Sequence, residues 1–159
     1  GANVLNDLST ISCKENGIWK FDEWSMTADT EKKAVLQFSN SRGVAILVPG
    51  QYRGSHQIGL HKNQYEALRQ RSNVKVFRDK NKDMTFDMDP STINEGLFGI
   101  NIHRSNPSTE STYVEDWSEG CQVFKRVRDF NEFMSICRKA RDIHGNSFTY
   151  TLLESKDIS

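Results

Sequence analysis

Two residues of the stretch 98–124 could carry out nucleophilic chemistry, namely His103 and Cys121. His103 lies in a short apolar run, FGINIHRS, and Cys121 follows a polar loop in WSEGCQVF. A cysteine thiol has an ordinary pKa of about 8.5, and a neighbouring imidazole can take its proton and leave a thiolate–imidazolium pair. Neighbouring strands lie about 5 Å apart, so a loop that folds back would bring the two side chains together.

The residue before Cys121 also fits the surroundings of a nucleophile. Gly120 has no side chain at the point where a backbone N–H must approach a substrate carbonyl. The N–H groups of Gly120 and Cys121 are therefore candidate oxyanion donors. From these residues alone a structural interpretation stays open, with His103 as a hydrogen-bonded strand histidine and Cys121 as a small buried side chain.

The motif GINIHRSNPST…WSEGCQVF resembles the signature of the L,D-transpeptidase catalytic domain of the YkuD type. That family has a histidine in an apolar strand, then a loop, then Ser/Thr-x-Gly-Cys. Here 14 residues separate His103 from Ser118, which is within the family's range. The helix and the last strand expected after the cysteine follow in the family's order. The resemblance is specific over residues 96–153, vaguer over 43–95 and absent over 1–33.

The resemblance implies a peptidoglycan-modifying enzyme that acts on stem peptides without a cofactor. Cys121 would attack the carbonyl of the L-centre at the third stem position and expel D-Ala, with His103 as its base. Ser118 would shape the turn and orient the imidazole through its backbone carbonyl, and Gly120 and Cys121 would supply the oxyanion hole. An amine from another stem would complete L,D-transpeptidation, whereas water would complete L,D-carboxypeptidase or endopeptidase hydrolysis.

One departure from the family's pattern concerns the substrate. Relatives usually have Arg or Asn two residues after the cysteine, and this chain has Val123. Gln122 or Arg104 could replace that polar contact. Trp117 would form an aromatic wall beside the thiol or belong to the core. Four residues are thus assigned to substrate binding: Arg104, Trp117, Gln122 and His61.

The pattern of apolar residues predicts a strand-rich scaffold for this chemistry. We expect a mostly-β or α+β class, with the L,D-transpeptidase-like sandwich that the resemblance implies, in one domain over residues 1–159. Alternating or continuous apolar runs predict strands over 19–22, 34–38, 43–48, 74–78, 84–86, 98–103 and 148–152. Residues 52–60 are expected to form a loop or an edge strand.

Two helices are predicted from apolar spacing and start signals. Apolar residues at helical spacing predict a long helix over 129–143, with a capping box from Asp129 and Gly145 just beyond its end. A second capping box that starts at Asn63 predicts a short helix near 63–71.

Composition excludes some partners. The chain has 159 residues with 21 basic and 21 acidic side chains, so no positive field attracts nucleic acid. No apolar run is long enough to span a membrane, and the first residues do not form a signal peptide. With the resemblance, we expect a bacterial periplasmic, cell-envelope or extracellular protein, or a phage-delivered one. Cys13 and Cys137 are either small buried hydrophobes or a disulfide pair.

Three competing interpretations remain. Residues 79–89 place oxygen ligands at the odd positions of a calcium loop, but Met84 and Pro90 replace its Gly and Glu, and a charged hairpin tip fits as well. A zinc peptidase would need convergent ligands, yet no HExxH or paired CxxC motif is present. A non-catalytic module associated with the cell wall or a virion would keep the fold with an inert cysteine. The weak calcium candidates are Asp79, Asn81, Asp83 and Asp87, and the zinc candidates are His56, His61, His103 and Cys121.

Overall fold

A computed structural model of the chain describes residues 7–28, 45–78, 89–104, 122–124 and 126–153. These residues form ten strands and one α-helix, α1, which spans Val127–His144. This composition confirms the coarse mostly-β or α+β class. In the described ranges, no helix has the length and apolar character needed to cross a membrane. The strands are β1 (Asp7–Glu15), β2 (Ile18–Ala28), β3 (Ala45–Leu47), β4 (Gly50–His61), β5 (Tyr65–Gln70), β6 (Val74–Arg78), β7 (Asn94–Gly96), β8 (Ile102–Arg104), β9 (Gln122–Phe124) and β10 (Phe148–Leu152).

The described strands form two sheets. The larger has the order β1-β2-β9-β8-β5-β4-β10, and the smaller has the order β3-β6-β7. Neighbouring strands are antiparallel except for β8 and β9, which run parallel with Ile102 opposite Gln122 and His103 opposite Val123. Parallel neighbours require a long connection, which in this chain is the polar stretch between His103 and Cys121. The two halves of the sequence motif therefore lead into adjacent strands.

Helix α1 covers the centre of the larger sheet. Its five buried side chains recur at the predicted helical spacing, which confirms the long helix: Phe130, Phe133, Met134, Cys137 and Ala140. They pack against residues of β4, β5, β8 and β9 in one apolar cluster. Phe124 of β9 is completely buried and touches two helix rings. Full burial of each such ring contributes on the order of 1.5–3 kcal/mol, so this cluster fixes the strands that carry the candidate site.

The short helix predicted near 63–71 is wrong, because this segment forms the turn after β4 and the strand β5. Lys62 and Asn63 have positive φ angles of 51° and 58°, and the N–H of Gln64 donates to the carbonyl of His61 at 3.0 Å. Two successive positive φ angles are typical of a tight hairpin turn and prevent a helix start. Leu68 then pairs with Ile58 on one side and Ile102 on the other. This central pairing overrides local helix propensity.

Two further boundaries differ from the predictions. Residues 52–60 belong to the interior strand β4, flanked by β5 and β10, rather than to a loop or edge strand. The capping box at Asp129 is wrong, since the N-cap is Arg126 and Asp129 lies in the first turn, where its negative charge still favours the helix dipole. Gly145 ends the helix as predicted, with a φ of 95° and its N–H bonded to the carbonyl of Arg141 at 2.8 Å.

The unassigned N-terminal part contributes strands to the larger sheet. Strands β1 and β2 form a hairpin with Asn16-Gly17 at its turn, and Thr27 pairs with Val123 of β9. Strand β8 begins at Ile102, later than the predicted 98–103, and β3 ends at Leu47, one residue before the end of the predicted 43–48. The strands predicted at 34–38 and 84–86 lie outside the described residues, as do the calcium candidates Asp79, Asn81, Asp83 and Asp87.

Candidate active site

His103 lies in the middle of β8 and is buried, with 6% of its surface exposed. Its Nδ1 is 3.0 Å from the backbone carbonyl of Arg104. A carbonyl only accepts hydrogen bonds, so Nδ1 carries the proton of the neutral ring, and the lone pair is on Nε2. This tautomer is the one that a base acting through Nε2 needs.

His61 lies against His103 at the end of β4. The two rings are stacked, with centroids 4.4 Å apart and planes inclined by 13°. Strand β5 separates β4 from β8 in the sheet, so the stack joins strands that are not direct neighbours. The sequence assigned His61 to the site, and the structure places it in direct ring contact with the candidate base.

Asn101 determines the tautomer of His61. The backbone N–H of Gln70 donates to Asn101 Oδ1 at 3.0 Å, which orients the amide. The amide nitrogen Nδ2 then contacts His61 Nδ1 at 3.2 Å. Because an amide nitrogen only donates, His61 Nδ1 accepts, and the proton of the neutral ring is on Nε2. The two stacked rings therefore hold opposite tautomers.

The Gln70 side chain fixes the segment that leads into β8. Its Oε1 accepts from the N–H groups of Phe98 and Ile100 at 3.1 and 3.0 Å. Its Nε2 donates to the carbonyls of Ser72 and Gly96 at 2.9 and 2.8 Å. Four hydrogen bonds from one amide replace regular strand pairing there, and they hold Asn101 in position beside His61.

Burial keeps both imidazoles neutral at physiological pH. It lowers the pKa of His61 to about 4, with smaller contributions from the nearby positive charges of His103, Lys62 and Arg69. Burial also lowers the pKa of His103; its hydrogen bond to the Arg104 carbonyl opposes this shift, and the charge of Lys62 adds to it. A neutral His103 is the form that can take a proton.

Tyr65 supports the same carbonyl. Its hydroxyl donates to the Arg104 carbonyl at 3.3 Å, so that oxygen receives hydrogen bonds from both Tyr65 and His103. The Arg104 guanidinium lies 4.3 Å from the centre of the Tyr65 ring. The Tyr65 ring also packs in an edge-to-face arrangement against Phe130 of helix α1. Arg104, assigned to substrate binding from the sequence, is thus held at the edge of the histidine pair.

Four residues of the predicted site lie outside the described residues, namely Cys121, Ser118, Gly120 and Trp117. Gln122 begins β9 opposite Ile102. The structure thus brings together His103, His61 and Arg104. Within the ranges it describes, no three potential ligands are grouped to bind a metal.

Three residues around the histidines were missed as site residues: Asn101, Gln70 and Tyr65. Asn101 is a polar residue inside the apolar run GINIH, two positions before His103. That spacing places both on one face of an extended chain and could have indicated a shared role. Gln70 and Tyr65 gave no such signal, because their segment was read as a helix.

Comparisons of the chain with protein-family models, with curated proteins and with solved structures gave no match.

Proposed function

We propose that the protein is a cysteine-dependent acyltransferase or peptidase of the L,D-transpeptidase type that acts on peptidoglycan stem peptides. The observation that carries this proposal is His103, which is buried, neutral and bonded through Nδ1 to a backbone carbonyl. In His56 the nitrogen bonded to a backbone carbonyl is Nε2, whereas in His103 it is Nδ1, so Nε2 is the basic nitrogen of His103. The motif resemblance supplies the substrate class and the role of Cys121.

The parallel pairing of β8 and β9 supports a partnership between His103 and Cys121. Gln122, which follows Cys121 in the chain, is paired with Ile102, which precedes His103. Paired strands are separated by about 4.8 Å, so Ile102 and Gln122 are direct neighbours across the sheet. The long connection between the two halves of the motif is therefore no obstacle to the proposed contact.

In the proposed mechanism the Nε2 atom of His103 takes the proton of the Cys121 thiol. The thiolate attacks the carbonyl carbon of the L-centre at the third stem position, and the N–H groups of Gly120 and Cys121 stabilise the oxyanion. When the C–N bond breaks, the imidazolium returns the proton to the amine of D-Ala, and a thioester remains. A second amine or a water molecule then loses its proton to His103 and releases the acyl group.

The remaining assignments follow the same proposal. Ser118 shapes the turn before Cys121, and Trp117 and Gln122 contact the substrate. The carbonyl that orients the imidazole is that of Arg104 rather than that of Ser118, because Arg104 already accepts from His103 Nδ1. Arg104 offers a guanidinium to a stem-peptide carboxylate from its position over Tyr65. A peptidoglycan substrate places the protein in the bacterial envelope or outside the cell, including delivery by a phage.

The decisive test is mass spectrometry of tetrapeptide muropeptides incubated with the protein. We expect loss of D-Ala or cleavage of the stem, and a transient mass increase on the peptide that contains Cys121. Cys121→Ala should abolish both signals. Cys137→Ala is the matched control, because Cys137 is completely buried on helix α1 and carries a thiol rather than a disulfide.

The products distinguish the outcomes. A 3–3 dimer indicates transpeptidation, and shortened monomers indicate hydrolysis. An unchanged substrate with no adduct on Cys121 would contradict the proposal and favour a non-catalytic wall-binding module, which binding to intact sacculi would then test.

A further inference from the structure

The stacked pair raises the question of which imidazole takes a proton. His61 and His103 are close enough that two positive charges would repel strongly. At the observed centroid separation of 4.4 Å and an effective dielectric constant of about 20, two unit charges disfavour double protonation more than about 100-fold. The proposed base works only if its neighbour stays uncharged.

The surroundings of the pair already carry positive charge. Lys62 from the hairpin turn and Arg69 from β5 act on His61, and Lys62 also acts on His103. Arg104 lies over Tyr65 at the edge of the pair, and the sequence of β9 contains no titratable side chain. On β5, the carboxylate of Glu66 forms a salt bridge with Arg138 of helix α1 at 3.0 Å. A further charge on His61 would oppose an imidazolium on His103.

We propose that Asn101 and His61 are positioning residues for His103. Asn101 donates to His61 Nδ1 and holds His61 as an uncharged ring whose face lies against His103, so that His103 is the ring that takes the thiol proton. This role rests on the proposed function and goes beyond the assignment of His61 to substrate contact.

The hydrogen bonds that run from Gln70 through Asn101 to His61 make this positioning role specific. The Gln70 N–H fixes Asn101 Oδ1 as the acceptor, so the amide presents only donors to His61. A protonated His61 would bring its own Nδ1–H against that donor, which costs the hydrogen bond. Asn101 therefore favours the neutral ring through geometry, in addition to burial. His61 transmits the effect because its ring plane is nearly parallel to that of His103.

The test separates charge control from packing. Asn101→Leu removes the donor, His61→Phe keeps an aromatic face that cannot be protonated, and the double variant combines them. Asn146→Leu is the matched control, because the Asn146 side chain also makes two hydrogen bonds, which are partly buried, to the N–H and carbonyl of Ile58 at 2.8 and 3.2 Å. It controls for loss of stability without contact to the stack.

The first readout is the NMR titration of the imidazoles in a Cys121→Ala background. We expect His61 to show the nitrogen shifts of an Nε2–H tautomer and to remain neutral to a pH of about 4. Asn101→Leu should raise the His61 midpoint by about one unit or more and lower that of His103. Asn146→Leu should leave both unchanged. An Nδ1–H tautomer of His61, or an unchanged midpoint in Asn101→Leu, would overturn the proposal.

The second readout is the rate of Cys121 alkylation by iodoacetamide. Asn101→Leu should slow it about twofold or more at pH 5 and much less at pH 7.5, because His61 is charged only at the lower pH. His61→Phe should cost about two- to threefold at both pH values, since it changes packing but not charge. Asn101→Leu in the His61→Phe background should add no pH-dependent loss. The same pH-dependent loss in that background would overturn the proposal.

Failure of the proposed function would look different. It would appear as a wild-type Cys121 that alkylates no faster than an ordinary thiol and yields no muropeptide product. The tautomer and the midpoint of His61 would still decide whether Asn101 controls the charge of the stack.

Discussion

Strand β4 carries two buried histidines, His56 and His61, and their ring nitrogens have different contacts. His56 is 1% exposed, and both nitrogens are bonded to fixed groups: Nε2 to the Ile100 carbonyl and Nδ1 to the Ser55 hydroxyl, each at 2.7 Å. The carbonyl requires a donor, so the Ser55 hydroxyl donates to Nδ1. His56 thus links β4 to the segment before β8.

The His61–His103 pair has different contacts. Asn101 contacts Nδ1 of His61, the Arg104 carbonyl accepts from Nδ1 of His103, and the two rings contact each other through their faces. The three histidines have similar burial and lowered pKa values, so burial alone does not identify a reactive histidine. The difference lies in the nitrogen that faces a backbone carbonyl, which is Nε2 in His56 and Nδ1 in His103, and in the face-to-face contact that His103 makes with His61.

The same substitution should lower the reaction rate at His103 and the stability of the fold at His56. The loss of rate at His103 is the largest effect we predict. His103→Gln should lower the rate of the muropeptide reaction by about 10²–10⁴-fold, because the base is lost. His56→Gln should retain the rate per folded molecule but lower the free energy of unfolding by about 1–3 kcal/mol, because buried partners lose a hydrogen bond. Product mass spectrometry and urea unfolding of both variants provide the measurements. Equal losses of rate would contradict the distinction.

Acid should destabilise the fold through these histidines. Their pKa values are lowered in the folded state, so the unfolded chain takes up protons first as the pH falls below about 6.5. The stabilisation is complete above that pH and is lost as the pH falls towards the folded value, which for His61 is about 4. His61 contributes to this loss because its pKa is lowered to about 4 in the folded state.

His61→Phe tests that contribution. Its free energy of unfolding between pH 7 and pH 4.5 should fall less steeply than that of the wild-type protein, because one proton-binding site of the unfolded chain is absent. Urea unfolding at several pH values measures the slope. A slope identical to that of the wild-type protein would show that His61 does not titrate differently in the folded and unfolded states.

The sequence is sufficient to predict an element when its apolar residues repeat at regular spacing over many residues. The spacing of Phe130, Phe133 and Cys137 sufficed for helix α1, because such a stripe must face a core. The segment 65–70 misled the prediction, since its residues favour a helix and its strand conformation depends on pairing with β4 and β8. Local signals cannot report such nonlocal pairing.

The candidate site was predictable only in part for a related reason. His103 stood out as a titratable residue in an apolar run, and His61 was assigned to substrate binding without any spacing that linked it to His103. Their stacking arises from strands separated by β5, and the orientation of Asn101 depends on the backbone of Gln70. These contacts join residues about 30–40 positions apart, and single-sequence spacing carries no information about them.

The smallest effect concerns the carbonyl that orients His103. Tyr65→Phe removes the hydroxyl that donates to the Arg104 carbonyl at 3.3 Å but keeps the ring beneath the guanidinium. With one donor fewer, that oxygen accepts more strongly from His103 Nδ1–H. The imidazolium is then favoured, and the midpoint of His103 should rise by a few tenths of a pH unit.

Tyr65→Phe should also change the rate by no more than about fivefold, since a neutral hydrogen bond contributes about 1 kcal/mol at most to a group it does not touch. Tyr52→Phe is the matched control, because the Tyr52 hydroxyl donates to the carbonyl of Lys75 near the smaller sheet, away from the histidine pair. NMR titration of His103 in both variants distinguishes them. A downward shift in Tyr65→Phe, or an equal shift in Tyr52→Phe, would mean that the Arg104 carbonyl does not set the basicity of His103.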